Sequence, residues 1–364
     1  MIDDLEYKFP YKPLYFRIKN ANEKAQLESL REKEQIVFVY DEIERQVLEL
    51  IRCRYPGGHD SSTNPEDYID NVLEGKTFDE YGVWIYYPWR KTLVHILDEM
   101  EFVEVRTNRN QFKITKEEQN LLLKKKVGIV GLSVGQSVAL TMAMERTCGV
   151  LKLADFDELD LSNLNRLRTG IFNLSVPKVV IAAREIAEID PYLKIEIFPE
   201  GLKPENYDAF FDVNEPLDLL VEVCDSFEVK LESRFKAKEL KIPVLMDTND
   251  RGMIDVERFD LNPDRPVFHG LAEGLTLERL RTLSAGDRAT ALMKIVEVDK
   301  LSARMKSSIP EIKRSLLSWP QLASEVVLGG AMTTDVCRRI LLGYPIASGR
   351  YYVDMSELIG NKNK

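Results

Sequence analysis

A short polar segment in the middle of the chain carries side chains suited to chemistry at phosphorus. It reads Ser162-Asn-Leu-Asn-Arg166, and Lys178 follows directly after Pro177. Displacement at an α-phosphate builds negative charge on the phosphate oxygens and on the departing pyrophosphate, and preplaced Arg and Lys side chains stabilise that charge. Hydride transfer at nicotinamide does not need this set of groups. The segment therefore favours displacement at phosphorus over redox chemistry.

Upstream, a glycine-containing turn is a candidate phosphate site. It reads Gly131-Leu-Ser133-Val134-Gly135-Gln136-Ser137 and lies between a predicted strand and a predicted helix. Free backbone N–H groups and the helix dipole favour phosphate at such a place. A dinucleotide fingerprint would have glycine at 131, 133 and 136, but Ser133 and Gln136 fill two of these positions. A tight structural turn explains the sequence about as well.

Two acidic positions follow predicted strands farther along the chain. Asp155-Phe-Asp157 comes at a strand end where a carboxylate can accept hydrogen bonds from ribose hydroxyls. Asp157 is explained equally well as a helix cap or a solvated loop acid. Asp225 ends the apolar run LDLLVEVC, where a carboxylate can hold Mg²⁺ or cap the next helix. Both interpretations of Asp225 fit its position.

The elements that position these residues alternate between strands and helices from Val127 onward. The apolar runs VGIVGL, VLKLADFD, KIEIFPE, LDLLVEVCD and IPVLMDTND predict strands, and helical periodicity predicts helices over 136–145 and 177–187. Strands separated by helices imply βαβ units, which predicts an α/β fold with a doubly wound, mostly parallel sheet. Ligands bind such sheets at the carboxyl ends of the strands, where each polar cluster falls.

The flanking regions have a different texture. Residues 1–105 are predicted to form an α+β accessory domain, with a helix over 36–54, a turn-rich loop over 55–68, a strand over 83–87 and a helix over 90–100. Residues 106–364 are predicted to form the main domain, with a helical insertion over 265–320 that includes helices over 276–283 and 297–307. A last helix is predicted over 329–343 and ends at Gly343.

Composition excludes several kinds of partner and site. The formal net charge is −10, with 60 acidic and 50 basic residues, so a nucleic acid partner is not expected. The absence of a signal peptide and of a membrane-length apolar run predicts a soluble cytoplasmic protein without membrane contact. The 4 cysteines form no C-x-x-C pair and the 3 histidines, His59, His95 and His269, are scattered, so zinc is not expected.

Together, the polar clusters resemble the ubiquitin-activating-enzyme-like superfamily, and within it the bacterial ThiF and MoeB adenylyltransferases. In that family a glycine-rich loop, D-x-D, S-N-L-x-R, a lysine and a strand-end aspartate follow one another. The counterparts here are Gly131–Gly135, Asp155-Phe-Asp157, Ser162–Arg166, Lys178 and Asp225. The resemblance covers about residues 106–260 and the helix from Gly329. It implies a Rossmann-like ThiF/MoeB fold.

The resemblance also implies roles for single residues around ATP and Mg²⁺. Asp155 would hold the ribose, and Asp225 would hold the magnesium ion. The triphosphate would lie against Asn163, Arg166 and Lys178. Further contacts with the nucleotide would come from Gly131, Ser133, Val134, Gly135, Asp157, Ser162 and Ser226.

Upstream of the glycine-containing turn, a second motif suggests a role for a partner subunit. The segment Arg106-Thr-Asn-Arg109-Asn resembles the family's R-Y-x-R-Q motif, whose second arginine reaches into the ATP site of the partner subunit. The resemblance therefore implies a homodimer in which Arg109 acts in trans. A surface charge in a linker is the other explanation for Arg109.

The chain also departs from the family pattern. Ser133 and Val134 stand where family members usually have two glycines, and Ser226 stands where asparagine is common. No cysteine occurs between Cys224 and Cys337, the stretch in which thioester- or persulfide-forming members keep theirs. Cys224 is expected in a buried strand and Cys337 in a packed helix, so both are interpreted as structural. The chemistry is therefore expected to stop at the adenylate.

The sequence thus predicts an enzyme, an ATP-dependent adenylyltransferase. Its expected substrate is the C-terminal carboxylate of a small ubiquitin-like or sulfur-carrier protein, or of a peptide, which it would activate as an acyl-adenylate with release of pyrophosphate. A small-molecule or tRNA-linked carboxylate is the nearest variant. A non-catalytic nucleotide-binding scaffold and a nicotinamide-dependent oxidoreductase are the alternatives, and the two replaced fingerprint glycines count against the oxidoreductase.

Overall fold

The computed structural model describes residues 2–33, 35–58 and 65–360, which form two compact units. The first unit comprises Met1–Lys116 with Asp190–Tyr192, and the second comprises Glu117–Ile189 with Leu193–Lys364. His59 and part of the loop predicted over 55–68 lie outside the described residues. Within the described ranges, no helix has both the length and the apolar character needed to cross a membrane.

The strands and helices of the described residues are numbered along the chain. The strands are β1 (Leu14–Phe16), β2 (Phe38–Asp41), β3 (Val83–Tyr87), β4 (Thr92–Ile96), β5 (Lys126–Val130), β6 (Val150–Ala154), β7 (Lys194–Phe198), β8 (Leu219–Glu222), β9 (Val244–Thr248), β10 (Met253–Glu257) and β11 (Gly349–Tyr352). The first eight helices are α1 (Ile2–Lys8), α2 (Ala21–Glu32), α3 (Ile43–Arg54), α4 (Pro65–Leu73), α5 (Glu99–Arg106), α6 (Lys116–Leu122), α7 (Leu132–Glu145) and α8 (Lys178–Ile189). The remaining helices are α9 (Tyr207–Phe211), α10 (Phe227–Glu239), α11 (Leu277–Thr282), α12 (Ala285–Val296), α13 (Ala303–Ser308), α14 (Ala323–Leu341) and α15 (Met355–Ile359).

The first unit contains a four-stranded sheet in the order β1-β3-β4-β2. The strand predicted over 83–87 is β3, but the helix predicted over 90–100 is wrong, because those residues include β4. Lys91, at φ +49°, lies in the turn that reverses the chain, and the β-branched residues of β4 then pair antiparallel with β3. The helix predicted over 36–54 also needs correction, since β2 precedes α3 and pairs parallel to β4.

The second unit contains a seven-stranded sheet in the order β11-β10-β9-β8-β5-β6-β7. Strands β7, β6, β5, β8 and β9 run parallel, which confirms the predicted mostly parallel α/β sheet. The antiparallel strands β10 and β11 extend one edge and were not predicted. Strand β10 follows a tight turn at Arg251 and Gly252, both with positive φ, and the hairpin forms by pairing with β9.

Helices cover both faces of this sheet, as a doubly wound fold requires. Adjacent residues of β5 point to opposite faces. On one face, a Cβ built on Gly135 of α7 would lie 2.7 Å from Ile129 Cγ2. On the other face, a Cβ built on Gly128 would lie 2.9 Å from the ring of Phe210 in α9. Glycine at 128 and 135 therefore lets a helix approach each face closely.

Several predicted helix boundaries differ from the structure. Helix α7 begins at Leu132 and not at 136, and α14 begins at Ala323 and not at 329. The helix predicted over 297–307 is wrong at its start, because α12 ends at Val296 and Glu297 takes φ +54° as its left-handed C-cap. The left-handed Glu297 ends α12, and the distant Asp155 bonds the Leu132 N–H at the start of α7, so apolar periodicity does not set these two ends.

A fully buried arginine joins α10 to two strands of the second unit. Arg234 Nη1 lies 2.5 Å from Glu222 Oε2 of β8, and its Nε lies 2.6 Å from Glu257 Oε2 of β10. Burial alone would raise the pKa of Glu222, but the charges of Lys230 and Arg234 hold it below its ordinary value. The pairing therefore keeps a charged Glu222 in the core.

Replacing this arginine tests the structural importance of the buried network. Arg234→Ala leaves two buried carboxylates without their shared cation, so we expect the free energy of unfolding to fall by about 3 to 5 kcal/mol. Urea denaturation measures the loss. The control is Arg339→Ala, which removes an exposed pair with Asp335 and should cost less than about 1 kcal/mol. Equal losses in the two variants would contradict a special role for Arg234.

Candidate functional site

The carboxyl ends of three parallel strands meet at one edge of the second unit's sheet. Val130 of β5 is in register with Ala154 of β6 and with Glu222 of β8. The residues that follow these strands therefore lie side by side. They surround a cavity of about 660 Å³, open solvent included, which we call the first cavity. Its lining includes the predicted residues Gly131, Ser133, Val134, Asp155, Asp157, Asp225 and Ser226.

Gly131 allows the chain to pass from β5 directly into α7. It has φ +88°, and a Cβ at this position would lie 2.7 Å from the backbone of Cys224. Any other residue would be strained and would clash. Ser133, Val134 and Gly135 belong to the first turn of α7 and not to an extended loop. The Gly135 N–H donates to the Gly131 carbonyl at 3.2 Å, but the N–H groups of Ser133 and Val134 precede the first intrahelical bond. The helix start therefore presents donors and a positive dipole end to the first cavity.

Asp155 fixes the start of α7. It is 8% exposed, and its Oδ2 accepts a 2.6 Å hydrogen bond from the Leu132 N–H while its Oδ1 accepts a 2.8 Å bond from the Asp157 N–H. Burial raises the pKa of this carboxyl, and the two N–H donors oppose that shift. The sequence pattern indicates a ribose contact for Asp155 but gives no signal for this structural role. A ribose hydroxyl bound there would donate to Asp155 oxygens that already accept backbone hydrogen bonds.

Lys178 is a nearly buried cation at the edge of the first cavity. It is 6% exposed, and its Nζ donates to Asp157 Oδ2 at 2.8 Å and to Ser133 Oγ at 3.3 Å. Asp157 is thus the ion-pair partner of Lys178, a role that neither interpretation from the sequence included. The ammonium group is directed toward the first turn of α7. An anion bound there would meet a positive charge and helix N–H groups together.

Arg166 ends a short 3₁₀ helix, Leu161–Asn165, that carries Ser162 and Asn163. Asn163 is 8% exposed, and its Oδ1 accepts a 3.0 Å hydrogen bond from the Asp160 N–H. Burial lowers the pKa of Arg166, and the nearby negative charge of Asp225 opposes that shift. Arg166 Nε is buried and lacks a hydrogen-bond partner among the described residues. The guanidinium group therefore has an unused donor close to Asp225.

The first cavity does not contain every residue assigned to the nucleotide. Its described lining includes none of Ser162, Asn163, Arg166 and Lys178. Lys178 contacts the lining residues Ser133 and Asp157. Arg166 interacts electrostatically with the lining residue Asp225. Arg109 lies in the first unit, in a short 3₁₀ helix at Asn108–Asn110. Its role in a partner subunit remains a prediction.

Asp225 and Ser226 follow β8 and have different roles. Ser226 Oγ accepts a 3.3 Å hydrogen bond from the Val229 N–H and is the N-cap of α10. Asp225 is exposed and lies outside the helix, so it does not supply this cap. A single exposed carboxylate fits Mg²⁺, which commonly keeps several waters and takes one or two carboxylates together with substrate phosphates. Within the described ranges, no three or more His, Cys, Asp or Glu side chains are grouped so that they could hold a metal ion.

The two downstream cysteines lie in environments that disfavour the thiolate. Cys224 follows β8 instead of lying within it, and burial and the Glu222 carboxylate raise the pKa of its thiol well above the ordinary value. Cys337 is buried in α14, and burial also raises the pKa of its thiol. Because the thiolate is the nucleophile, neither side chain is prepared for thioester chemistry.

A second cavity adjoins the first and shares five lining residues with it, namely Val134, Val223, Cys224, Asp225 and Gln321. Its volume is about 1150 Å³, including the space that is open to solvent. Residues from β9, α12, α13 and the segment before α14 complete its wall. Sequence patterns do not reveal this cavity, because its lining comes from distant parts of the chain.

The sequences of known proteins relate this chain to one family. Residues 107–274 match the ThiF family. An uncharacterized protein of Mycobacterium tuberculosis (strain CDC 1551 / Oshkosh) is 46% identical over 76% of this chain and 38% of its own length. The molybdopterin-synthase adenylyltransferase of Haemophilus influenzae is 27% identical over 44% of this chain and 64% of its own. This chain spans less than two thirds of the length of either relative.

Among solved structures, one similar protein is a tRNA N6-threonylcarbamoyladenosine dehydratase of E. coli in complex with ATP. It is 15% identical, with a TM-score of 0.45. The similarity covers 65% of this chain and 93% of that one.

Asp247, at the second cavity, makes stability depend on pH. It is 5% exposed, neither carboxylate oxygen has a hydrogen-bond partner among the described residues, and burial raises its pKa to about 7. Between about pH 4 and 7 the folded protein keeps a proton that the unfolded chain releases, so stability falls as the pH rises. Asp247→Asn removes this titration. From pH 5 to 8, we expect the native protein to lose roughly 2 to 3 kcal/mol relative to that variant.

Urea denaturation at several pH values measures this difference. Asp264→Asn is the control, because Asp264 is exposed and its replacement should leave the pH dependence of stability unchanged. Parallel stability curves for the native protein and Asp247→Asn would contradict the raised pKa of Asp247.

Proposed function

Residues 107–274 form a ThiF family domain, and we propose that the chain is an ATP-dependent adenylyltransferase that activates a carboxylate. The observation that carries this proposal is the meeting of three features at one strand edge. These features are the start of α7, the nearly buried Lys178 directed at Ser133, and Arg166 with an unused donor near Asp225. Together they provide helix N–H donors and two cationic side chains for a triphosphate beside a carboxylate suited to magnesium.

In this proposal, the first cavity holds ATP. The phosphates lie against the first turn of α7, with Lys178 on one side and Arg166 on the other, and Asp155 accepts from the ribose hydroxyls. Asn163 supports the turn from which Arg166 extends, since its Oδ1 is bonded to the Asp160 N–H. Asp225 would hold Mg²⁺, which when bound neutralises charge on the phosphates. The protein thus contributes alignment and charge stabilisation.

The reaction needs no general base from the protein. A carboxylic acid has a pKa near 4, so it is already ionised at neutral pH. One carboxylate oxygen forms a bond to the α-phosphorus, the bond from that phosphorus to the bridging oxygen breaks, and pyrophosphate leaves with the electron pair. Charge grows on the α-phosphate and on pyrophosphate, where Arg166 and Lys178 can stabilise it. The raised thiol pKa values support an enzyme that stops at the acyl-adenylate.

The acceptor and the assembly follow from the family resemblance. We propose that the carboxylate is the C-terminus of a small carrier protein or of a peptide. We also propose a homodimer in which Arg109 of one subunit reaches the ATP of the other. A nucleotide-binding scaffold or a nicotinamide-dependent oxidoreductase would give no exchange of pyrophosphate into ATP, so one assay separates these alternatives.

Removing either cation should abolish the proposed reaction. We expect Lys178→Ala and Arg166→Ala to lower carboxylate-dependent ATP–pyrophosphate exchange by about a hundred- to a thousandfold, because each removes charge stabilisation from the transition state. Radiolabelled pyrophosphate measures the exchange, and the melting temperature checks the fold. Lys194→Ala is the matched control, since this lysine is 66% exposed at the start of β7. Near-normal exchange in either cavity variant would show that our phosphate contacts are wrong.

Mixing two inactive variants tests Arg109. An Arg109→Ala subunit keeps an intact first cavity, and an Asp225→Ala subunit keeps an intact Arg109. If the arginine acts in trans, a mixed dimer has one complete site. Random mixing makes about half of the dimers mixed, so about a quarter of the native exchange activity should return. The exchange assay on mixed and separate variants measures this. Without any recovery, Arg109 acts within its own subunit or does not act.

A further inference from the structure

The second cavity meets the first at the point where the proposed reaction occurs. Asp225 lines both cavities, and the shared wall also includes Val134 at the start of α7 and Val223 after β8. A carboxylate that attacks the α-phosphate has to approach from a space next to the nucleotide. The second cavity is such a space. A molecule that lies in it can therefore present its carboxylate beside Asp225.

The wall of the second cavity is mainly apolar. Met246 and Met253 come from the sheet, and Tyr352 comes from the edge strand β11. The residues predicted as a helical insertion supply further apolar lining, which includes Leu292, Ile295, Val296, Leu301, Met305 and Trp319. Methionine side chains adapt to irregular apolar shapes, so this wall suits a hydrocarbon or aromatic group.

Three of the five charged residues that line the second cavity, Lys230, Lys300 and Asp250, have ion-pair or hydrogen-bond partners. Lys230 Nζ lies 3.0 Å from Glu222 Oε1, and Lys300 Nζ lies 2.7 Å from Glu297 Oε1. Asp250 accepts a 2.6 Å bond from Ser302 Oγ and a 2.8 Å bond from the Ser302 N–H. A ligand would therefore gain little from carrying charge into this part of the cavity.

Asp247 also lines the second cavity but does not offer its carboxylate to a ligand. Its oxygens are buried, and a Cβ built on Gly329 of α14 would lie 2.0 Å from Asp247 Oδ2. The carboxylate is therefore packed against α14. The rest of the lining is mostly apolar, with Thr248, Asn249 and Gln321 as its uncharged polar residues.

We propose that the second cavity binds the acyl part of the substrate, and that this part is a bulky apolar group. The inference rests on the proposed adenylyltransferase function and assigns its substrate an apolar acyl group in place of a Gly-Gly tail. A Gly-Gly tail has no side chains and would leave the apolar wall in contact with water. An aliphatic or aromatic acyl group would cover Leu292 and its neighbours while its carboxylate oxygen bonds to the α-phosphorus and pyrophosphate departs. Each methylene moved from water into the cavity should strengthen binding by roughly fourfold.

Acyl-sulfamoyl adenosines test this proposal, because they are stable analogues of acyl-adenylates. Calorimetry compares the decanoyl and glycylglycyl forms on the full chain. We expect the decanoyl form to bind at least tenfold more tightly. Equal affinities, or tighter binding of the glycylglycyl form, would overturn the proposal.

Two substitutions at Leu292 test whether the acyl group binds in the second cavity. Leu292→Trp fills the space and should weaken decanoyl binding at least tenfold, while the affinities for ATP and for the glycylglycyl form stay within about twofold. Leu292→Ala enlarges the space and should shift the preference toward longer acyl chains. Leu261→Trp is the control, since Leu261 is 67% exposed and outside the lining, and it should change none of these affinities. If Leu292→Trp leaves decanoyl binding unchanged, the acyl group lies elsewhere.

Separate measurements distinguish failure of this inference from failure of the proposed function. If ATP binds and only Gly-Gly peptides support pyrophosphate exchange, the adenylyltransferase function stands and the apolar acyl group is wrong. If ATP does not bind at all, the proposed function fails. In that case tryptophan fluorescence still tests the cavity, when decanoate and glycylglycine are titrated into the native chain and into Trp319→Phe, which isolates the signal of Trp319 from those of Trp84 and Trp89. No preference for decanoate would then overturn the inference as well.

Discussion

The candidate site depends on the parallel hydrogen-bonded pairing of β5 with β6 and β8. In a parallel sheet all carboxyl ends lie at one edge, so residues that are far apart in the sequence become neighbours. The pairing of Val130 with Ala154 and Glu222 places the ends of these three strands at the same level. Asp155, Asp157, Asp225 and the first turn of α7 each follow one of these ends, and Lys178 bonds to Asp157.

This edge is stable only because its polar groups support one another. Asp155 holds the first N–H of α7, and Asp157 neutralises Lys178. The lysine in turn touches Ser133, so a charged residue that is 6% exposed remains paired while it points toward the helix start. The same contacts that stabilise the fold therefore hold the positive groups in place for an anionic ligand, and little reorganisation is needed at the moment of reaction.

The segment that supplies α12 and α13 has its main role at the second cavity. It forms no part of the first cavity except through Gln321, yet it builds one wall of the second cavity. In the sequence, its apolar residues have the spacing of an ordinary amphipathic helix. Such periodicity indicates that a helix face is buried but not which residues or ligand cover that face. In the structure, part of that face borders an apolar space next to Asp225.

The sequence by itself determined the five parallel strands and their alternation with helices, the polar cluster at each strand end and the ThiF family resemblance, because local patterns and motif spacing carry this information. Only the tertiary structure decided that Ser226 caps α10, that Asp157 pairs with Lys178, and that Asp155 holds the start of α7. It also decided that residues 92–96 pair as a strand. These outcomes depend on partners that are distant in the chain or on caps and left-handed residues at element ends. Local periodicity does not indicate such contacts.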